Sequence, residues 1–86
     1  TGELIAATAQ ADYVELQLPR GGNVPPHVLD IAVSFYVVSG SGKLKVDNET
    51  FAMAPGDIAT SGPGTSREWT NTGDSTLKVL VVKHKA

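Results

Sequence analysis

The feature that most constrains this chain is how often it is interrupted. "RGGNVPP" (Arg20–Pro26), "SGSG" (Ser39–Gly42), "APGD" (Ala54–Asp57), "SGPG" (Ser61–Gly64) and the polar turn Gly73–Ser75 cut it into short pieces. Glycine and proline break both helices and ladders, and no helical periodicity spans the gaps. The pieces read as strands. "DYVELQL" places Val14, Leu16 and Leu18 on one side and Tyr13, Glu15 and Gln17 on the other, the two-residue period of a half-buried strand. "VLDIAVSFYVV" (Val28–Val38) reads as a second strand, "KLKVDNETFAM" (Lys43–Met53) as two strands around an Asp47–Asn48 hairpin turn, and "IAT" (Ile58–Thr60) as a short one. "SREWTNTGDS" and "TLKVLVVKHK" supply the last strands. The prolines of "RGGNVPP" cannot donate to a ladder, so that segment is expected to be loop. Short strands at regular spacing with Gly/Pro turns predict an all-β antiparallel sandwich or barrel.

Size and charge narrow the function. The 86 residues, 41% of them hydrophobic, suit one domain spanning 1–86, with a thin core because a chain this short hides only about 60–65% of its unfolded surface. Without cysteine there is no disulfide staple and no thiolate metal site, and a reducing, cytoplasmic setting is the expectation. The formal net charge of −2 comes from dispersed acids and bases, with no basic stripe for nucleic acid. No apolar run approaches the roughly 20 residues of a membrane span. "TGELIAATAQ" has neither the basic start nor the apolar centre of a signal peptide.

Two segments carry a family pattern. Cupins, small double-stranded β-helix (jelly-roll) barrels, have a first motif Gly-x5-His-x-His-x3–4-Glu-x6-Gly and a second, Gly-x5-Pro-x-Gly-x2-His-x3-Asn. This chain resembles both. Gly21, His27 and Gly40 fill positions of the first; Gly56, Gly64 and Asn71, within "GDIATSGPGTSREWTN", fill positions of the second. The resemblance runs from about Leu16 to Val82 and implies a cupin barrel.

The departures bear on function. Metal-bearing cupins use three histidines and a glutamate. Here the second histidine slot is Leu29, the glutamate slot Val33 and the last histidine slot Arg67, while Gly62 replaces the second motif's proline. One ligand of four does not hold a transition metal, which needs several donors at about 2.0–2.2 Å, and a guanidinium in the fourth slot repels a cation. No metal and no cofactor are therefore expected. Asp30 and Glu68 adjoin motif slots, but side chains alternate along a strand, so both should point outward. His27, Leu29, Val33, Phe35 and Val37 should face inward with Arg67, Trp69 and Asn71, giving an apolar interior with a few polar tips.

A buried guanidinium is costly unless an anion or several carbonyls meet it. The sequence therefore predicts a small polar or anionic ligand, with Arg67 making the charged contact, His27 a directional hydrogen bond, and Trp69, Phe35 and Asn71 lining the site. His27 and Arg67 are expected to face each other across the barrel mouth. No serine or threonine can be paired with an activating base, so no catalytic residue is assigned. Two other classes stay open, a cupin enzyme of isomerase or dioxygenase type with an atypical site, and a structural or sensor domain acting by association. "FYVV" and "VLVV" are apolar on both strand faces, so something must cover the second face, and a homodimer is expected.

Overall fold

The computed structural model describes residues 2–85. Its strands are β1 (Gly2–Ala7), β2 (Ala11–Leu18), β3 (Asn23–Val28), β4 (Val33–Ser39), β5 (Gly42–Val46), β6 (Glu49–Met53), β7 (Ile58–Ser61), β8 (Ser66–Asn71) and β9 (Leu77–His84). No helix long and apolar enough to cross a membrane occurs among the described residues.

From β2 onward the chain is one long hairpin, doubled back at Asp47–Asn48 and wound up. β5 pairs β6, β4 pairs β7, β3 pairs β8 and β2 pairs β9, all antiparallel. The successive pairs fall alternately in two sheets, ordered β1-β2-β9-β4-β7 and β3-β8-β5-β6. The ladders β4–β9 and β5–β8 join neighbouring turns of the ribbon. This is the antiparallel jelly-roll barrel that the motif pair implies.

The motif glycines have a geometric reason. Gly21, Gly40, Gly56 and Gly64 are the glycines with positive φ, between 75° and 90°, a region closed to most side chains. At Gly40 a Cβ would also lie 2.6 Å from the Thr76 carbonyl oxygen, so the SGSG turn must pass the start of β9 without a side chain.

The two inner faces meet in layers. Phe35 and Trp69 fix the alignment, with ring centroids 5.6 Å apart at 70°, an edge-to-face contact of the favoured kind. Val14, Val81, Phe35 and Ala59 form the matching row of the larger sheet. Val24, Trp69 and Leu44 form that of the smaller. Val33, Val37, Leu44, Leu77 and Val79 are fully buried around this pair.

Three segments differ from their sequence reading. β3 contains Pro25 and Pro26 although "RGGNVPP" reads as loop; it is an edge strand, and its register shifts between Val24 and His27, so the prolines owe the ladder no donor there. "VLDIAVSFYVV" is not one strand. It breaks after Val28 and resumes at Val33 in the other sheet, because the ribbon changes sheets at this corner. β1 had no alternating signal. It pairs β2 as an outer edge strand, shifted in register between Leu4 and Ala6, with Leu4 and Ile5 both exposed.

Candidate functional site

One mouth of the barrel gathers the motif positions. The register shift in β3 places His27 beside Arg67, just as Val24 lies beside Trp69. In a regular strand, residues three apart point to opposite faces; the extra residue of the bulge turns His27 inward. His27 and Arg67 therefore stand side by side on neighbouring strands of one sheet, not face to face across the mouth as the sequence suggested. The row facing them, one step outward from Phe35 and Val81, is Asp12, Lys83, Val33 and Ser61.

Arg67 is the most unusual group in this layer. It is 2% exposed. Its Nη2 lies 3.5 Å from the Leu29 carbonyl oxygen, at the outer limit of a hydrogen bond, and its Nε and Nη1 have no partner among the described residues. No carboxylate among the described residues pairs with it, and burial pulls its pKa down from the ordinary arginine value. Its sequence neighbour Glu68 accepts from Asn23 Nδ2 at 3.0 Å, on the outer face. Asp30 lies exposed in the bend before β4.

A pocket of ≈ 160 Å³ opens between the sheets; Arg67 does not line it, but its strand partner His27 and its β8 neighbour Trp69 do. Val14, Leu16, Val24, Trp69 and Val81 form its apolar wall, Gly2 reaches it from β1, and His27 and Lys83 bring the polar groups. The imidazole is exposed, with Nδ1 3.5 Å from the Pro25 carbonyl oxygen. Trp69 is 2% exposed and its Nε1 lacks an acceptor. A cavity of this size holds a group about as large as benzene.

The other residues expected at the site lie elsewhere in the core. Phe35 is buried behind Trp69 and does not line the pocket. Asn71 is tied to backbone: its Nδ2 donates to the carbonyls of Leu18, Pro19 and Ser75 at 3.0, 3.1 and 2.8 Å, and its Oδ1 accepts from Gly73 N at 2.9 Å. That side chain fastens the strand ends around β8. Lys83 was missed by the sequence reading, although the alternation Leu77, Val79, Val81 points to it as the next inward position of β9.

The four positions that carry metal in related barrels are here His27, Leu29, Val33 and Arg67. Leu29 packs against the core and Val33 is fully buried, and neither side chain carries a donor atom for a metal. No group of three or more His, Cys, Asp or Glu side chains able to hold one occurs among the described residues.

A jelly-roll ribbon whose two glycine-bearing motifs meet at one mouth defines a cupin-type barrel. The model of the cupin domain family matches residues 14–83, and the chain belongs to that family. No curated protein matches it. Among solved structures it is similar to the Cnp3 cupin domain of Schizosaccharomyces pombe, with a TM-score of 0.88 and 17% identity over 96% of this chain and 61% of that one. The chain thus spans less than two thirds of that domain's length. A predicted oxalate decarboxylase of Thermotoga maritima gives 0.83 and 24%, over 90% of this chain and 69% of the other. KdgF from a Halomonas species gives 0.84 and 20%, over 99% and 78%. These likenesses show a shared fold.

Proposed function

We propose that this cupin domain binds a small ligand with an anionic or strongly polar group, held inside the barrel mouth at Arg67 and His27 with Trp69 beside it. The observation that carries the reading is the unpaired guanidinium. A buried charge without a partner costs several kcal/mol, and two donors left empty behind His27 and Trp69, which line the pocket, favour a negative group that reaches past them. His27 adds a hydrogen bond from the rim. The pocket is smaller than the 300–1,000 Å³ usual for drug-sized ligands, so the ligand is small.

Acetate and formate are suitable first probes, read by calorimetry and by the midpoint of thermal unfolding. Either anion should raise the midpoint of the parent protein. Arg67→Ala should weaken binding by roughly 2–5 kcal/mol, the usual cost of removing one partner from a desolvated charged contact. Binding of these anions with undiminished affinity in that variant would sink the reading.

A second reading, a domain that acts through self-association, is favoured by one observation. Tyr36, Val38 and Ile58 are 41%, 49% and 71% exposed on the outward face of β4 and β7, where Tyr36 pairs with Ile58 on one side and Leu80 on the other. We propose a second copy of the chain as the cover for that surface.

A further inference from the structure

Lys83 is unaccounted for by the cupin motifs and by the ligand reading above. It continues the inward series Leu77, Val79 and Val81 of β9, pairs with Asp12 and Val33 in the row that faces His27 and Arg67, and lines the pocket. The acid on its row is engaged elsewhere: Asp12 Oδ1 is 2.9 Å from Lys85 Nζ. The Lys83 side chain is half-buried and has no ion-pair or hydrogen-bond partner among the described residues. Two cationic side chains, Arg67 from the smaller sheet and Lys83 from the larger, thus belong to facing rows of one layer; the other carboxylate on these rows, Glu49, stands beyond Val46 on the outermost strand β6 and is exposed. Immediately inward the lining changes character to Val14, Leu16, Val24, Trp69 and Val81.

Charge at the mouth and an apolar slot beside it specify a ligand with the same two parts. We propose that the site takes a short monocarboxylic acid whose carboxylate lies between Lys83 and the Arg67–His27 pair, and whose compact apolar body, no larger than a phenyl ring, fills the slot against Trp69. The assignment rests on the anion-binding reading above and adds to it a second cationic residue and an apolar tail. Lys83 would act as a point charge from the facing sheet, while the orphaned guanidinium donors give direction. A di- or tricarboxylate would have to bury its second charge among valines, which the slot does not compensate.

The protein carries its own reporter, because Trp69 is its sole tryptophan and lines the slot. Benzoate, benzamide and acetate can be titrated against its fluorescence in the parent chain and in Lys83→Met, Lys83→Arg and Arg67→Ala, with calorimetry for acetate. Benzoate should shift the emission and bind about tenfold or more tighter than either benzamide, which lacks the charge, or acetate, which lacks the ring. Lys83→Met should lose that preference over benzamide while keeping the parent's thermal midpoint, and Lys83→Arg should restore it. If benzoate binds equally well to the parent and to Lys83→Met but poorly to Arg67→Ala, the clasp is wrong and the anion reading stands. Equal affinity for acetate and benzoate would remove the apolar tail alone. Benzoate and benzamide binding alike in every variant would overturn both readings, as would silence of all probes up to about 10 mM, the range of a weak small ligand.

Discussion

Arg67 is a buried charge that the fold holds at a cost. With 2% exposure and a single long contact to a carbonyl, its charge is poorly compensated in the ligand-free protein. Arg67→Met keeps much of the volume and removes the charge. Replacing buried ionic groups by packed apolar ones is often neutral or stabilising by 1–4 kcal/mol. Arg67→Met should therefore raise the thermal midpoint of the ligand-free protein, by about 1–3 kcal/mol in unfolding free energy, while abolishing the rise produced by acetate. A lowered midpoint would mean that the guanidinium is satisfied by contacts such as ordered water. The pH dependence has a definite sign. A base whose folded pKa lies below its unfolded value destabilises the fold wherever it is charged, and the penalty is relieved only as pH climbs through the lowered pKa. For an arginine this happens in strong alkali, so the gain in the Met variant should be flat across the neutral range.

At the level of elements, the site depends on two local devices. The β3 bulge turns His27 inward, and Asn71 ties the carbonyls of Leu18, Pro19 and Ser75 to the end of β8. Asn71 is 5% exposed, so truncating it strands the buried Leu18 carbonyl, while the carbonyls of the exposed Pro19 and Ser75 can turn to water. Asn71→Ala should cost about 1–3 kcal/mol in equilibrium unfolding. It should leave intrinsic anion affinity within error, because its amide is committed to the backbone; a large loss of affinity without loss of stability would make Asn71 a ligand contact instead. This is why a motif asparagine reads equally well in sequence as binding residue or fastener: the pattern records that the amide is needed, not what it touches.

Across the whole molecule, the outward face of β4 and β7 exposes Tyr36, Val38 and Ile58. The proposed dimer would bury on the order of 1,200 Å² or more, and sedimentation of the parent protein should show it at tens of micromolar. Tyr36→Lys with Ile58→Lys places like charges on the paired positions of that face and should give a folded monomer. A parent that sediments as a monomer would remove the proposal. The mouth can be tested by reversing its chemistry. Leu29→His, Val33→Glu and Arg67→His together rebuild the family's donor set on a backbone that already brings the slots together. The triple variant should retain close to one zinc or manganese per chain through dialysis, detected by elemental analysis, where the parent retains none. Its thermal midpoint should rise on adding metal, since the new carboxylate is buried and uncompensated until the ion arrives.

By itself the sequence determined the class of fold, because its signals are local. The alternation of Val14, Leu16 and Leu18, the hairpin turn at Asp47–Asn48 and the glycines at 21, 40, 56 and 64 each report a backbone state that neighbouring residues impose. It also determined that the metal donors are missing, since that needs only residue identity at known spacing. Tertiary structure decided everything that depends on what lies opposite. Only the wound ribbon sets Lys83 against the His27–Arg67 row, because those residues are more than fifteen positions apart and their meeting is fixed by strand register and by the Phe35–Trp69 contact between sheets. Only the packed barrel leaves Arg67 2% exposed without a carboxylate partner among the described residues, and the Lys85–Asp12 pair engages the acid nearest to Lys83. Charge in a sequence is a property of residues, but the energy of a charge is a property of its surroundings, and those exist only after folding.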